Sequence, residues 1–80
     1  MTDAPKPPEH VIDARTWEPP EPFVATMDAL DAMQPHERVL LILNREPHPL
    51  YRALLKQGYQ YQTTFNDATG FEILIWREAV

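Results

Sequence analysis

The sequence predicts an α+β two-layer sandwich, a four-stranded mixed sheet with two helices on one face. Three observations predict it. Apolar residues recur at helical spacing in two segments, Phe23 to Met33 and Leu50 to Leu55. An unbroken apolar run, Val39-Leu40-Leu41-Ile42-Leu43, lies between them and suits a strand covered on both faces. Two strictly alternating stretches, Tyr59–Phe65 and Phe71–Trp76, follow around a turn. The order is therefore β-α-β-α-β-β. Helical crossovers imply right-handed, parallel pairing, and the final hairpin must be antiparallel. Placing both helices on one side of the sheet is the economical way to bury them.

Each element has its own signals. Residues 1–9 hold Pro5, Pro7 and Pro8, show no apolar periodicity and read as a flexible arm before a single domain, residues 10–80. His10-Val11-Ile12-Asp13-Ala14 is a short strand. A Pro-rich turn, Glu18-Pro19-Pro20-Glu21-Pro22, then opens a helix, because proline is tolerated where its missing N–H would have no partner. Phe23, Met27 and Leu30, widened by Val24 and Met33, form the expected buried stripe, and Pro35 ends the helix. The apolar strand Val39–Leu43 follows, then a second Pro-rich turn, Asn44-Arg45-Glu46-Pro47-His48-Pro49. The second helix would bury Leu50, Leu54 and Leu55, and Gly58 can cap it in the left-handed conformation. Asn66-Asp67-Ala68-Thr69-Gly70 reads as the hairpin turn.

Composition excludes several classes of function. The chain has 80 residues, 44% of them hydrophobic, which is too apolar for a disordered chain. It has no cysteine, so disulfides, Cys-based zinc sites and thiol nucleophiles are impossible. A secreted chain this short would usually need disulfide staples, so the expected compartment is the cytoplasm. Twelve acidic against seven basic residues, a net charge of -5, argue against nucleic acid and anionic membranes as partners. Two glycines are too few for a phosphate-binding loop. No serine is present, so no serine-based triad exists.

The residues around the first turn resemble a known signature. Val11-Ile12-Asp13-Ala14-Arg15, followed by Trp17-Glu18-Pro19-Pro20-Glu21-Pro22, resembles the start of the TusA/SirA sulfur-carrier fold. There a Leu-Asp-x-x-Gly-Leu-x-Cys-Pro-x-Pro pattern joins the first strand to the first helix. A closer similarity is to a TusA-like bacterial family of unknown function, with an Asp-x-Arg…Glu-Pro-Pro-Glu-Pro start and an Asn-x-x-Pro-x-Pro-Leu segment. Asn44 to Leu50 fit the second pattern. The resemblance covers roughly residues 10 to 78 and implies the strand order 1-2-4-3. The sulfur carriers hold a persulfide on the cysteine of Cys-Pro-x-Pro, chemistry that requires a low-pKa thiolate. Pro19 occupies that position here, so the resemblance carries over the fold without persulfide transfer. The family's association with nitrogen-oxide reduction and hemerythrin-like domains implies an alternative, a metal- or redox-linked accessory domain.

The residues point to one principal candidate site. Parallel strands joined by right-handed crossovers bring both Pro-rich turns to the same end of the sheet, where ligands usually bind. Arg15, Trp17, Glu18 and Glu21 come from the first turn, and Asn44, Arg45, Glu46 and His48 from the second. The helix starts, with Arg15 and Arg45, would suit a small anionic ligand or a carboxylate of a protein partner. Those arginines could equally pair with Glu18 and Glu46, and Asn44 could simply hold its turn. A second surface is the open sheet face, where Leu74 and Trp76 would offer contacts to a partner, the Pro-rich arm or a second copy. His10, His36 and His48 match no metal-ligand spacing, so no metal or cofactor is expected. Glu18, Glu21 and Glu46 with His48 lack the enclosed pocket that acid–base catalysis requires. The expected function is a non-catalytic binding or adaptor module.

Overall fold

The computed structural model describes residues 8–77 and shows the expected element order. The elements are β1 (His10–Asp13), α1 (Glu21–Ala32), β2 (Arg38–Leu43), α2 (His48–Lys56), β3 (Tyr59–Asn66) and β4 (Gly70–Arg77). They form one four-stranded sheet in the order β1-β2-β4-β3. β1 runs parallel to β2, with Ile12 opposite Leu41, while β4 is antiparallel to both β2 and β3. The continuous apolar run of β2 thus lies inside the sheet. Val39, Leu41 and Leu43 are buried under the helices, whereas Leu40 and Ile42 lie half-buried on the other face.

The core is small. Leu30 of α1 and Leu50 and Leu54 of α2 pack on Val39, Leu41, Ile73 and Ile75 of the central strands. Fully burying one such side chain stabilises by about 1.5–3 kcal/mol, so each matters in a domain of this size.

Both helices begin earlier than their apolar stripes suggest, with Pro22 and Pro49 in their first turns. Both stripes are also rotated from expectation. In α1 the buried residues are Thr26 and Leu30, with Met27, Ala29 and Met33 partly buried against the core. Phe23 and Val24 are 38% and 51% exposed. Small side chains at Thr26 and Ala29 let the helix lie close to the sheet, which turns Phe23 outward. The Thr26 hydroxyl is fully buried without a hydrogen-bond partner. In α2, Leu55 is exposed and Tyr51 takes its place beside the core.

Each glycine has a specific role. Gly58, at φ +87°, follows Gln57, the C-cap of α2, and turns the chain into β3. Gly70, at φ +98°, closes the β3–β4 hairpin. A Cβ there would stand 2.5 Å from the Leu43 carbonyl oxygen, so the close approach also excludes side chains. Between the two strands, the Asn66 side chain accepts a hydrogen bond from the Ala68 N–H at 2.8 Å, an Asx turn.

Of the arm read as residues 1–9, residues 1–7 lie outside the described residues. Pro8 is half-buried at a shallow depression formed with Leu40 and Leu74 on the open sheet face. Glu9 accepts a hydrogen bond from the Arg38 N–H at 2.8 Å.

Candidate functional site

The two Pro-rich turns meet at one end of the sheet, as the parallel pairing of β1 and β2 requires. Parallel pairing continues past β1, where the Ala14 N–H donates to the Ile42 carbonyl at 2.9 Å. One residue beyond β2, the Asn44 side-chain amide donates to the Arg15 carbonyl and ties the turns together. Between them lies a cleft of about 470 Å³. Leu41, Leu43 and Leu50 line it from the core side, and Trp17, Pro19 and Phe23 from the first turn and helix. The first turn carries a cis peptide bond between Pro19 and Pro20, both of which line the cleft. Pro19 is therefore an apolar cleft residue.

The structure separates the eight predicted site residues. Arg15, Trp17, Asn44, Arg45 and Glu46 line the cleft. Glu18, Glu21 and His48 do not, although all three lie exposed on the same turns. Phe23 was expected in the core and instead belongs to the site. Its sequence spacing fits either assignment, so only the helix rotation distinguishes them.

Charges are arranged differently from the pairings that sequence proximity suggests. Arg15 pairs with Asp13 and not with Glu18. Its Nε and Nη2 donate to the two carboxylate oxygens at 2.8 and 2.6 Å. These hydrogen bonds, with a further one from the Arg15 N–H, hold the Asp13 carboxyl below the usual aspartate range and raise the Arg15 guanidinium. Glu46 pairs with neither arginine. It accepts a hydrogen bond from the Tyr51 hydroxyl at 3.0 Å and lies 3.5 Å from His48 Nε2. Tyr51 in turn accepts from the Thr63 hydroxyl at 2.5 Å and stacks face to face on Tyr61. Burial, followed by the neighbouring Glu46 carboxylate, raises the Tyr51 phenol, while Thr63 opposes the shift. Arg45 forms no ion pair among the described residues.

The helix starts contribute less to the site than expected. Pro22 and Pro49 carry no N–H. The N–H groups of His48, Leu50 and Tyr51 are taken by the carbonyls of Glu46 and Pro47. An anion in the cleft would therefore meet guanidinium groups before backbone donors.

The other predicted groups lie elsewhere. The His10 Nε2–H donates to the Glu37 carboxylate at 3.0 Å at the opposite end of the sheet, remote from His48. That contact, with a hydrogen bond from the Gln34 N–H, lowers the Glu37 carboxyl. Among the described residues no three His, Asp or Glu side chains cluster as metal ligands. Leu74 and Trp76 are half-buried on the sheet face away from the helices, cross-strand from Leu40 and Arg38. No described helix is long and apolar enough to cross a membrane.

Comparisons with known proteins agree with this architecture. A search of curated proteins found no match to this chain. The crystal structure of a SirA-like protein from Desulfitobacterium hafniense superposes with a TM-score of 0.73 at 22% identity, covering 82% of this chain and 93% of that one. At that identity the likeness establishes a SirA-like fold and nothing about activity. The profile of the family described as "Uncharacterized conserved protein (DUF2249)" matches residues 11–77, which span both Pro-rich turns and all of the strands but the first residue of β1, and on that match the chain belongs to the DUF2249 family.

Proposed function

We propose that this chain is a non-catalytic binding module whose site is the cleft between the two Pro-rich turns. The occupant would combine an apolar body with a negative charge. It is either a small anionic molecule or an acidic segment of a protein partner. The cleft itself carries this reading, because its apolar walls adjoin Arg45, a cation without a partner carboxylate among the described residues. Concave, mostly apolar sites with a few polar groups are the usual form of ligand pockets. Arg15 is a weaker attractor, since Asp13 already neutralises it. Persulfide transfer is not proposed, because Pro19 offers no thiol and the chain has no cysteine.

The test is titration of isotope-labelled protein with a panel of small aromatic and aliphatic carboxylates, read by amide chemical shifts. Shifts should concentrate at Trp17, Phe23, Arg45 and Leu50, and Arg45→Ala should weaken the response at least tenfold. Shifts confined to other surfaces, or an Arg45→Ala response equal to that of the native chain, would remove the cleft as the binding site.

A further inference from the structure

The two edges of the sheet are built in opposite ways. β1 has four residues and includes an aspartate, which is paired with the arginine two residues on. β3 has eight residues, Tyr59 to Asn66, with no charge, no proline and no glycine. Among the described strands β3 pairs only with β4 and forms the end of the sheet, and Gln62, Thr64, Phe65 and Asn66 along it are exposed. Natural edge strands are commonly blunted by lysine, proline, bulges or short length. β3 has none of these.

We propose that the outer edge of β3 is a self-association surface, pairing antiparallel with β3 of a second copy. Charge favours this occupant. The chain carries a net charge of -5, so most surfaces would bring like charges together when two copies meet. Two β3 edges would bring none. A two-fold axis normal to the sheet keeps both helix layers on one side and sets residues of like parity opposite each other. Registers centred on Gln62 or Thr63 pair the most of the strand, all but one of its eight residues. Phe65 is 59% exposed. It would lie opposite the partner's Tyr59 in the first register and the partner's Tyr61 in the second, gaining an aromatic cross-strand neighbour in each. An interface limited to one pair of strands predicts a weak, concentration-dependent dimer.

Sedimentation analysis across a micromolar-to-millimolar series tests this. The native chain should pass from monomer to dimer. The double variant Gln62→Lys, Thr64→Lys places cations at exposed positions of the edge and should weaken association at least tenfold. Trp76→Asp, on the open sheet face, should leave it unchanged. In the native chain, β3 amides should also become more protected from hydrogen exchange as concentration rises, a readout that does not depend on any variant folding. A chain that stays monomeric throughout would overturn the proposal. So would a dimer indifferent to the lysines, one lost only with Trp76→Asp, or exchange that does not change with concentration.

Discussion

The two Pro-rich turns look alike in sequence and are constructed differently. Each follows a parallel strand, contains an arginine and a glutamate, and feeds a proline into the first turn of a helix. In the first turn the arginine is held. Arg15 is gripped by Asp13, and its carbonyl is held by Asn44. In the second turn the glutamate is held instead. Glu46 is tied through Tyr51 to Thr63 on β3, and Arg45 is left to the cleft. Similar local sequence therefore yields one neutralised cation and one available cation. The difference lies in the strand that each turn leaves: Asp13 stands two residues before Arg15, whereas the buried Leu43 stands two residues before Arg45.

Substitutions can break or sharpen this contrast. The largest effect is expected from Gly70→Ala. A methyl group would meet the Leu43 carbonyl just before the second turn, at a positive φ, and should cost roughly 2–4 kcal/mol in denaturant unfolding. The first turn contains no glycine. Next is Tyr51→Phe, which frees Glu46 and leaves the Thr63 hydroxyl without its acceptor, and should cost about 1–2 kcal/mol. It should also remove an alkaline effect. A phenol raised by folding contributes stability below its ordinary value, and that contribution is lost as pH rises through the folded value. The native chain should thus lose stability at high pH more steeply than the variant.

A smaller loss, about 0.5–1 kcal/mol, is expected for Asn44→Ala, because the bond to Arg15 is exposed to water. Its more telling effect should be on the cleft, where amide shifts would report the two turns separating. The smallest effect on stability is expected from Asp13→Asn. The Asp13 carboxyl is lowered by folding, so its contribution is present above the ordinary aspartate value and lost as pH falls through the folded value. Thermal unfolding of the variant should be less sensitive to acid than that of the native chain. Releasing Arg15 should also strengthen carboxylate binding in the cleft.

Much of the fold was legible in the residues. The apolar run Val39–Leu43 marks the strand inside the sheet, but the expected cover on both faces is met only beneath the helices, where Val39, Leu41 and Leu43 are buried while Leu40 and Ile42 stay half-buried on the other face. The alternation in Tyr59–Phe65 and Phe71–Trp76 survives in the hairpin, and the prolines mark both helix starts. The rotation of α1 was not legible. Phe23-Met27-Leu30 and Thr26-Leu30-Met33 have the same spacing, and hydrophobicity favours the first. Close approach to the sheet selected the second, sending Phe23 to the site. The charge pairs were similarly hidden. Arg15 had an acidic neighbour on either side in sequence, and only the backbone direction after β1 brings Asp13 into bidentate reach.

The sequence by itself determined the element order, the convergence of the Pro-rich turns and the lack of a sulfur-carrying thiol. Those follow from periodicity, chain handedness and composition, which are local or chemical properties of the chain. The tertiary structure decided which faces of the helices are buried, how Asn44 ties the two turns together and how Glu46 and Tyr51 reach Thr63 on β3. Those depend on contacts between residues distant in sequence, where packing distance and the reach of each side chain select among arrangements that local pattern leaves equal.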